Sequence, residues 1–111
     1  MLDINIEYVN GILFIRLEGK INLTNSVNIE ENVIDIIKQG GIKYVVFNLD
    51  ELLIEERISL FDECNKCIKD NNGLMMICGL NKEIDKIISS DYEYCEKIDN
   101  ELTALRRFSL C

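Results

Sequence analysis

Histidine and proline are both absent from this chain of 111 residues. Without an imidazole, most hydrolytic triads lose their base and a metal site loses its commonest ligand. Cations are scarce as well: 12 Lys and Arg stand against 20 Asp and Glu, a net charge of −8. Nucleic-acid binding rests on cations that displace counterions from phosphates, so this balance argues against a DNA or RNA binder. It also disfavours an anionic membrane surface, while a basic protein partner stays compatible with it. No apolar run approaches the roughly 20 residues needed to cross a bilayer. The opening MLDINIEYVNG lacks the basic-then-apolar form of a secretion signal. The expected compartment is therefore the cytoplasm. Five cysteines (Cys64, Cys67, Cys78, Cys95 and Cys111) are an odd count at irregular spacing, unlike a secreted disulfide framework, and fit a reducing environment.

What is present is ordinary for a folded domain: 48% hydrophobic and 29% charged residues. The length suits one domain, residues 1–111. Its centre is Lys43–Lys69. Tyr44, Val45, Val46, Phe47 and Leu49 form a nearly continuous apolar run, the pattern of a strand covered on both faces. Asp50–Ser59 reads as an acidic turn or early helix start. Ile58, Phe61, Cys64 and Ile68, with Leu60 and Cys67, then recur at helical spacing. The turn lies at the carboxyl end of the strand, where open α/β sheets dock ligands and partners.

Upstream, Ile4–Val9 alternates like a half-buried strand, Asn10-Gly11 signals a hairpin, and Ile12–Glu18 is its second strand. Gly19–Ser26 reads as a polar turn in which Thr24, Asn25 or Ser26 caps a helix. That helix runs to about Lys38, buries Ile29, Val33, Ile36 and Ile37, and ends at Gln39-Gly40-Gly41. Downstream, Asp70–Gly73 is a break and Leu74–Cys78 a short apolar strand. Asn81 caps a brief helix with Ile84, Ile87 and Ile88 on its apolar side. Tyr92–Ile98 reads as a weak edge strand or extended segment. Asp99 caps a last helix carrying Leu102, Leu105 and Phe108. Strand and helix alternate after the hairpin, so the expected fold is α/β: a small mixed sheet of four to five strands, an antiparallel hairpin followed by parallel strands, with about four helices.

The run Leu17-Glu18-Gly19-Lys20-Ile21-Asn22-Leu23 follows an L-x-G-x-[IL]-D-[LV] pattern. The helix after it, Gly40-Gly41, YVVFNL and GLMMICGL keep the same order and spacing. Over nearly its whole length the chain thereby resembles the STAS domain, the fold of bacterial anti-sigma-factor antagonists and of sulfate-transporter tails. The resemblance implies a non-enzymatic interaction module in transcription regulation, without a cofactor, whose partner is an anti-sigma factor or related regulatory protein. Self-association is left open. That family carries Asp-Ser-Ser/Thr-Gly at the start of its second helix, and phosphorylation of the first Ser by the cognate kinase breaks the complex.

Counting from Phe47-Asn48-Leu49 and keeping Leu60 as the following leucine, that segment falls on Glu56-Arg57-Ile58-Ser59. Arg57 stands at the phosphoacceptor position, Ser59 at the glycine, and Asn22 at the aspartate of the earlier turn. An Arg accepts no phosphoryl group. Ser59 is the remaining phosphorylation candidate, and serves only if the alignment shifts by two residues. The resemblance implies partner contacts at Asn22, Thr24, Asn25, Glu56, Arg57, Ile58 and Ser59, on a surface joining Lys20–Ser26 to Glu55–Asp62. A phosphoserine carries about −1.5 to −2 charges, whereas Arg57 places a fixed positive charge there, beside Glu55 and Glu56, or simply pairs with them. The alternative is a small-ligand or nucleotide sensor using the same crevice, although Arg57 is the only cation between Lys43 and Lys66.

Two further patterns weigh less. Cys64-x-x-Cys67 lies mid-helix with Cys64 on the apolar stripe, away from the helix N-terminus that activates thiols, and no second pair completes a zinc site. Core packing is the favoured reading, with a redox or metal role the alternative. Glu30-Glu31, Glu55-Glu56 and Asp62-Glu63 read as solvated helix faces, with nothing to push paired carboxylates apart in acidity. No glycine-rich phosphate loop occurs, so an enzyme has no support in the sequence.

Overall fold

The computed structural model describes residues 2–81, 83–84 and 96–109, of which Phe108 and Ser109 are described by backbone alone. β1 (Leu2–Val9) and β2 (Ile12–Ile21) form the expected hairpin, with Leu2 opposite Gly19 and Val9 opposite Ile12. Its turn residues Asn10 and Gly11 both have positive φ, 51° and 83°. This is the mirror-image turn whose twist matches the strands it joins, and it selects Asn-Gly for that reason.

α1 (Leu23–Gly40) returns the chain so that β3 (Tyr44–Ile54) pairs parallel with β2. α2 (Leu60–Asp70) does the same for β4 (Leu74–Cys78), and β5 (Glu96–Lys97) adds a last parallel strand. The sheet order is β1-β2-β3-β4-β5, the mixed sheet with an antiparallel edge that alternation implied. α3 (Glu101–Ser109) completes three helices among the described residues, against about four expected. Most of the helix expected around Ile84, Ile87 and Ile88 lies outside the described residues. At its start, Asn81 Oδ1 accepts the Ile84 N–H at 2.8 Å, as a cap would. Of the weak strand expected over Tyr92–Ile98, only Glu96–Lys97 is strand among the described residues. No helix of the described residues is long and apolar enough to cross a membrane.

Both faces of the central strands are covered. On one, Leu13, Ile15, Val45, Phe47, Met75 and Ile77 pack with Ile29, Val33 and Ile37 of α1 and Leu60, Phe61, Cys64 and Ile68 of α2. The Phe47 and Phe61 rings meet edge to face, centroids 5.1 Å apart at 84°, worth about 0.5–1.5 kcal/mol beyond the area they bury. On the other face, Ile12, Phe14, Val46, Met76 and Cys78 pack with Ala104 of α3. Burial from both sides explains why β3 and β4 read as continuous apolar runs.

Three boundaries differ from the sequence reading. β2 continues through Gly19–Ile21 and β3 through Asp50–Ile54, where polar turns were expected. The cause in β3 is a bulge: Arg16 and Glu18 of β2 face Asn48 and Glu51, so β3 carries one extra residue. The bulge reverses which alternate residues face the helices. Leu49 is buried before it, and Leu52 and Ile54 after it. Neither period two nor a continuous run survives that shift. At the C-terminus, the Thr103 N–H is accepted by Asn100 Oδ1 at 3.0 Å, so Asn100, not Asp99, caps α3. Leu102 is 50% exposed while Ala104 is fully buried, so the apolar side of α3 centres on a smaller residue than expected.

α3 is pinned by charge as well as packing. Arg16 Nε and Nη2 donate to the two Glu101 oxygens at 2.8 and 2.7 Å, and Asn48 Nδ2 donates to Glu101 Oε2 at 2.8 Å. The Arg16 hydrogen bonds hold the Glu101 carboxyl below its ordinary range, against a smaller opposing effect of burial.

Candidate protein-interaction surface

Because β2 and β3 run parallel, they end side by side: Gly19, Lys20 and Ile21 lie opposite Leu52, Leu53 and Ile54. The two chain segments leaving the sheet there are Asn22–Ser26 and Glu55–Ser59. The Glu55 N–H still donates to Ile21 O at 3.4 Å, and Lys20 Nζ lies 3.7 Å from Glu55 Oε1. The sequence reading takes Lys20–Ser26 and Glu55–Asp62 as one surface, and the fold sets the two segments in contact.

The start of α1 is built from side chains. Asn22 is its N-cap: Oδ1 accepts the N–H groups of Thr24 and Asn25 at 2.9 and 3.0 Å. Asn25 Oδ1 accepts the Asn22 N–H at 2.9 Å, which completes a capping box, and Asn25 Nδ2 donates to Lys20 O at 3.0 Å. The cap thus sits earlier than the expected Thr24, Asn25 or Ser26, because β2 runs on to Ile21. One amide of the first turn, Leu23 N–H, is left over, and Glu56 Oε1 accepts it at 2.9 Å. A carboxylate is favoured there by the positive end of the helix dipole.

The seven expected contact residues therefore divide. The side chains of Asn22 and Asn25 are engaged in holding α1. Ile58 is 6% exposed and belongs to the core, so it anchors the loop and is not free to meet a partner. Thr24, Glu56, Arg57 and Ser59 are exposed. Ser59 occupies the N-cap position of α2 without capping it. Its hydroxyl instead donates to Glu30 Oε1 of α1 at 2.6 Å.

The sequence reading missed the apolar part of this surface. Leu23 is 56% exposed, Val27 52% and Leu53 43%. Leu23 and Val27 stand one turn apart on α1, off the Ile29–Val33–Ile37 stripe, and the i,i+4 spacing was the available signal. Lys20, Glu30 and the Glu55-Glu56 pair border them.

Other candidates resolve differently. Cys64 and Cys67 are buried on the core side of α2, and burial pushes both thiols up. Cys78 is buried in β4 and pushed up to about 11 by the same desolvation. These are packed, protonated thiols. Among the described residues no three Cys, Asp or Glu side chains converge as a metal site. An open cleft of about 690 Å³ lies beyond the carboxyl end of β4, beside Asp50 of β3, and is lined by Asp50, Gly79, Asn81, Lys97 and Asp99 among others. It does not coincide with the surface above.

The STAS domain model matches residues 3–92. Among solved structures, the anti-sigma factor antagonist SpoIIAA in its unphosphorylated form superposes with a TM-score of 0.79 at 17% identity, over 96% of this chain and 98% of that one. The phosphorylated Bacillus SpoIIAA gives 0.75 at 15% identity, over 95% and 98%. A candidate anti-sigma factor antagonist from Thermotoga maritima gives 0.77 at 15%, over 96% and 94%. At such identities the likeness to each structure is one of fold.

Proposed function

This chain belongs to the STAS domain family, and we propose that it works as a non-enzymatic interaction module of the anti-sigma-factor-antagonist kind. On this reading it is a cytoplasmic regulator that docks an anti-sigma factor or related regulatory protein on the joined Lys20–Val27 and Leu53–Ser59 surface. The observation that carries the reading is the Leu23–Glu56 hydrogen bond. It ties the two segments into one preformed surface, with Leu23, Val27 and Leu53 as apolar anchors and Thr24, Arg57 and Ser59 beside them. Preformed surfaces lose less entropy on docking.

We read the interaction as constitutive. Arg57 stands where the resemblance puts the phosphoacceptor, and the Ser59 hydroxyl is already bonded to a glutamate. A phosphoryl group on Ser59 would bring its two negative charges against Glu30. The acidic rim favours a partner whose docking face is basic around an acidic group that meets Arg57, so binding weakens as salt rises.

The test is a pull-down from the source organism's lysate, identified by mass spectrometry, with wild type and Arg57→Glu as bait. Retention of a histidine-kinase-like ATPase or anti-sigma factor by wild type, and its loss on charge reversal, is the expected result. Equal recovery by both baits would move the interface elsewhere. Recovery of no specific protein would overturn the reading.

A further inference from the structure

β1 is the edge of the sheet, and among the described residues no strand pairs with its outer side. Edge strands are normally blunted by Lys, Pro or a bulge. β1, LDINIEYV, has none of these over eight residues, and its two charges, Asp3 and Glu7, lie on the face away from α1 and α2. Its even-numbered side chains lie opposite Leu13, Ile15 and Leu17, on the face that carries α1 and α2. Three of them remain open to solvent: Ile4 (41%), Ile6 (39%) and Tyr8 (60%).

We propose that this edge pairs with β1 of a second copy of the chain, antiparallel about a two-fold axis through Ile6, so that two sheets join into one. The register follows from charge and face. With Ile6 opposite Ile6, Ile4 meets Tyr8 of the second copy and the three exposed apolar side chains form one continuous row. On the other face Asn5 meets Glu7 of the second copy. Asn5 Oδ1 already accepts from Arg16 Nη1 at 2.8 Å, and the same Nη1 lies 2.9 Å from its own Glu7. Each Arg16 would therefore face a second Glu7, and the positive charge that holds β1 to β2 also complements the incoming strand. A shift of two residues in either direction sets Asp3 against Glu7, or Glu7 against Glu7, and like charges directly opposite are destabilising. A shift of one turns the apolar row to the wrong face.

The axis at Ile6 lies about five residues, roughly 17 Å, along the hairpin from Lys20. The dimer leaves the partner surface of each copy open and presents two of them. It also carries a distinctive salt response. Two chains of net charge −8 repel at long range, so salt tightens this pairing, whereas it weakens docking of a basic partner.

Sedimentation velocity over a concentration series tests it. Wild type is expected to shift from monomer to dimer, at lower concentration in high salt, and Ile6→Lys to weaken pairing about tenfold or more by placing like charges across the axis. Circular dichroism melting separates that loss from unfolding. A second arm needs no destabilising change: with Cys95→Ser and Cys111→Ser as background, mild oxidation should link Ile6→Cys into a covalent dimer but not Ile4→Cys, whose opposite residue is Tyr8. A wild type that stays monomeric throughout, a dimer indifferent to Ile6→Lys, or equal cross-linking at both positions would overturn the proposal.

Discussion

The carboxylate of Glu56 accepts the backbone N–H of Leu23 at 2.9 Å across 33 residues of sequence. With the Glu55–Ile21 and Ser59–Glu30 hydrogen bonds, this bond joins the loop before α2 to the start of α1 and makes a single surface of two segments. Glu56→Ala removes the acceptor and the charge at the helix N-terminus, and should cost about 0.3–1 kcal/mol of stability. Its larger effect falls on binding, since the loop carrying Arg57 loses one of its ties to α1. Calorimetric titration against the captured partner, beside a urea melt, separates the two.

Asn22 stands where the family's turn has aspartate, and here it caps α1. Asn22→Ala should lower unfolding free energy by about 1 kcal/mol, and Asn22→Asp should leave it unchanged or raised, since Asp caps as well and adds a charge at the helix N-terminus. Urea denaturation midpoints at constant slope decide between them.

The Arg16–Glu101 clamp makes stability depend on acid. The Glu101 carboxyl is held below its ordinary 4.5 in the folded chain. Its contribution is therefore fully present above that value and is lost as pH falls through the lower folded value. Wild type should lose more stability than Glu101→Gln between neutral pH and about pH 3. The two curves should converge at the acid end. The pair is partly exposed, so a coupling energy of about 1 kcal/mol is expected from a double-mutant cycle with Arg16→Ala.

Cys64, Cys67 and Cys78 are buried thiols held protonated by desolvation. Peptide-resolved iodoacetamide labelling at neutral pH should modify them slowly in the folded protein and rapidly in urea. Fast native labelling of Cys64 or Cys67 would revive a redox role for the C-x-x-C pair.

Much of the fold was legible because local signals agreed with tertiary context. Asn10-Gly11 specified its turn, Gly41, with φ 60°, stopped α1, and double burial wrote itself into YVVF and LMMIC. The misplaced boundaries of β2, β3 and α1 share a cause: each was decided by a partner strand that sequence spacing does not display. Pairing with β3 keeps Gly19–Ile21 in β2, which moves the cap back to Asn22. The bulge after Leu49 breaks the alternation that would have marked Asp50–Ile54 as strand. The two adjoining candidate segments were singled out through the family pattern, but Ile58 looked available although the loop folds it into the core. Leu23 and Val27 were overlooked because an exposed apolar pair belongs to neither the core stripe nor the motif.

The central claim, a regulatory docking surface without a serine switch, is tested most directly by incubating the chain with its captured kinase-like partner and ATP. Intact mass and complex retention are then followed together. The account predicts an unmodified chain that stays bound, and loss of the complex on Arg57→Glu. A phosphoryl group appearing on Ser59, with release of the partner, would contradict it.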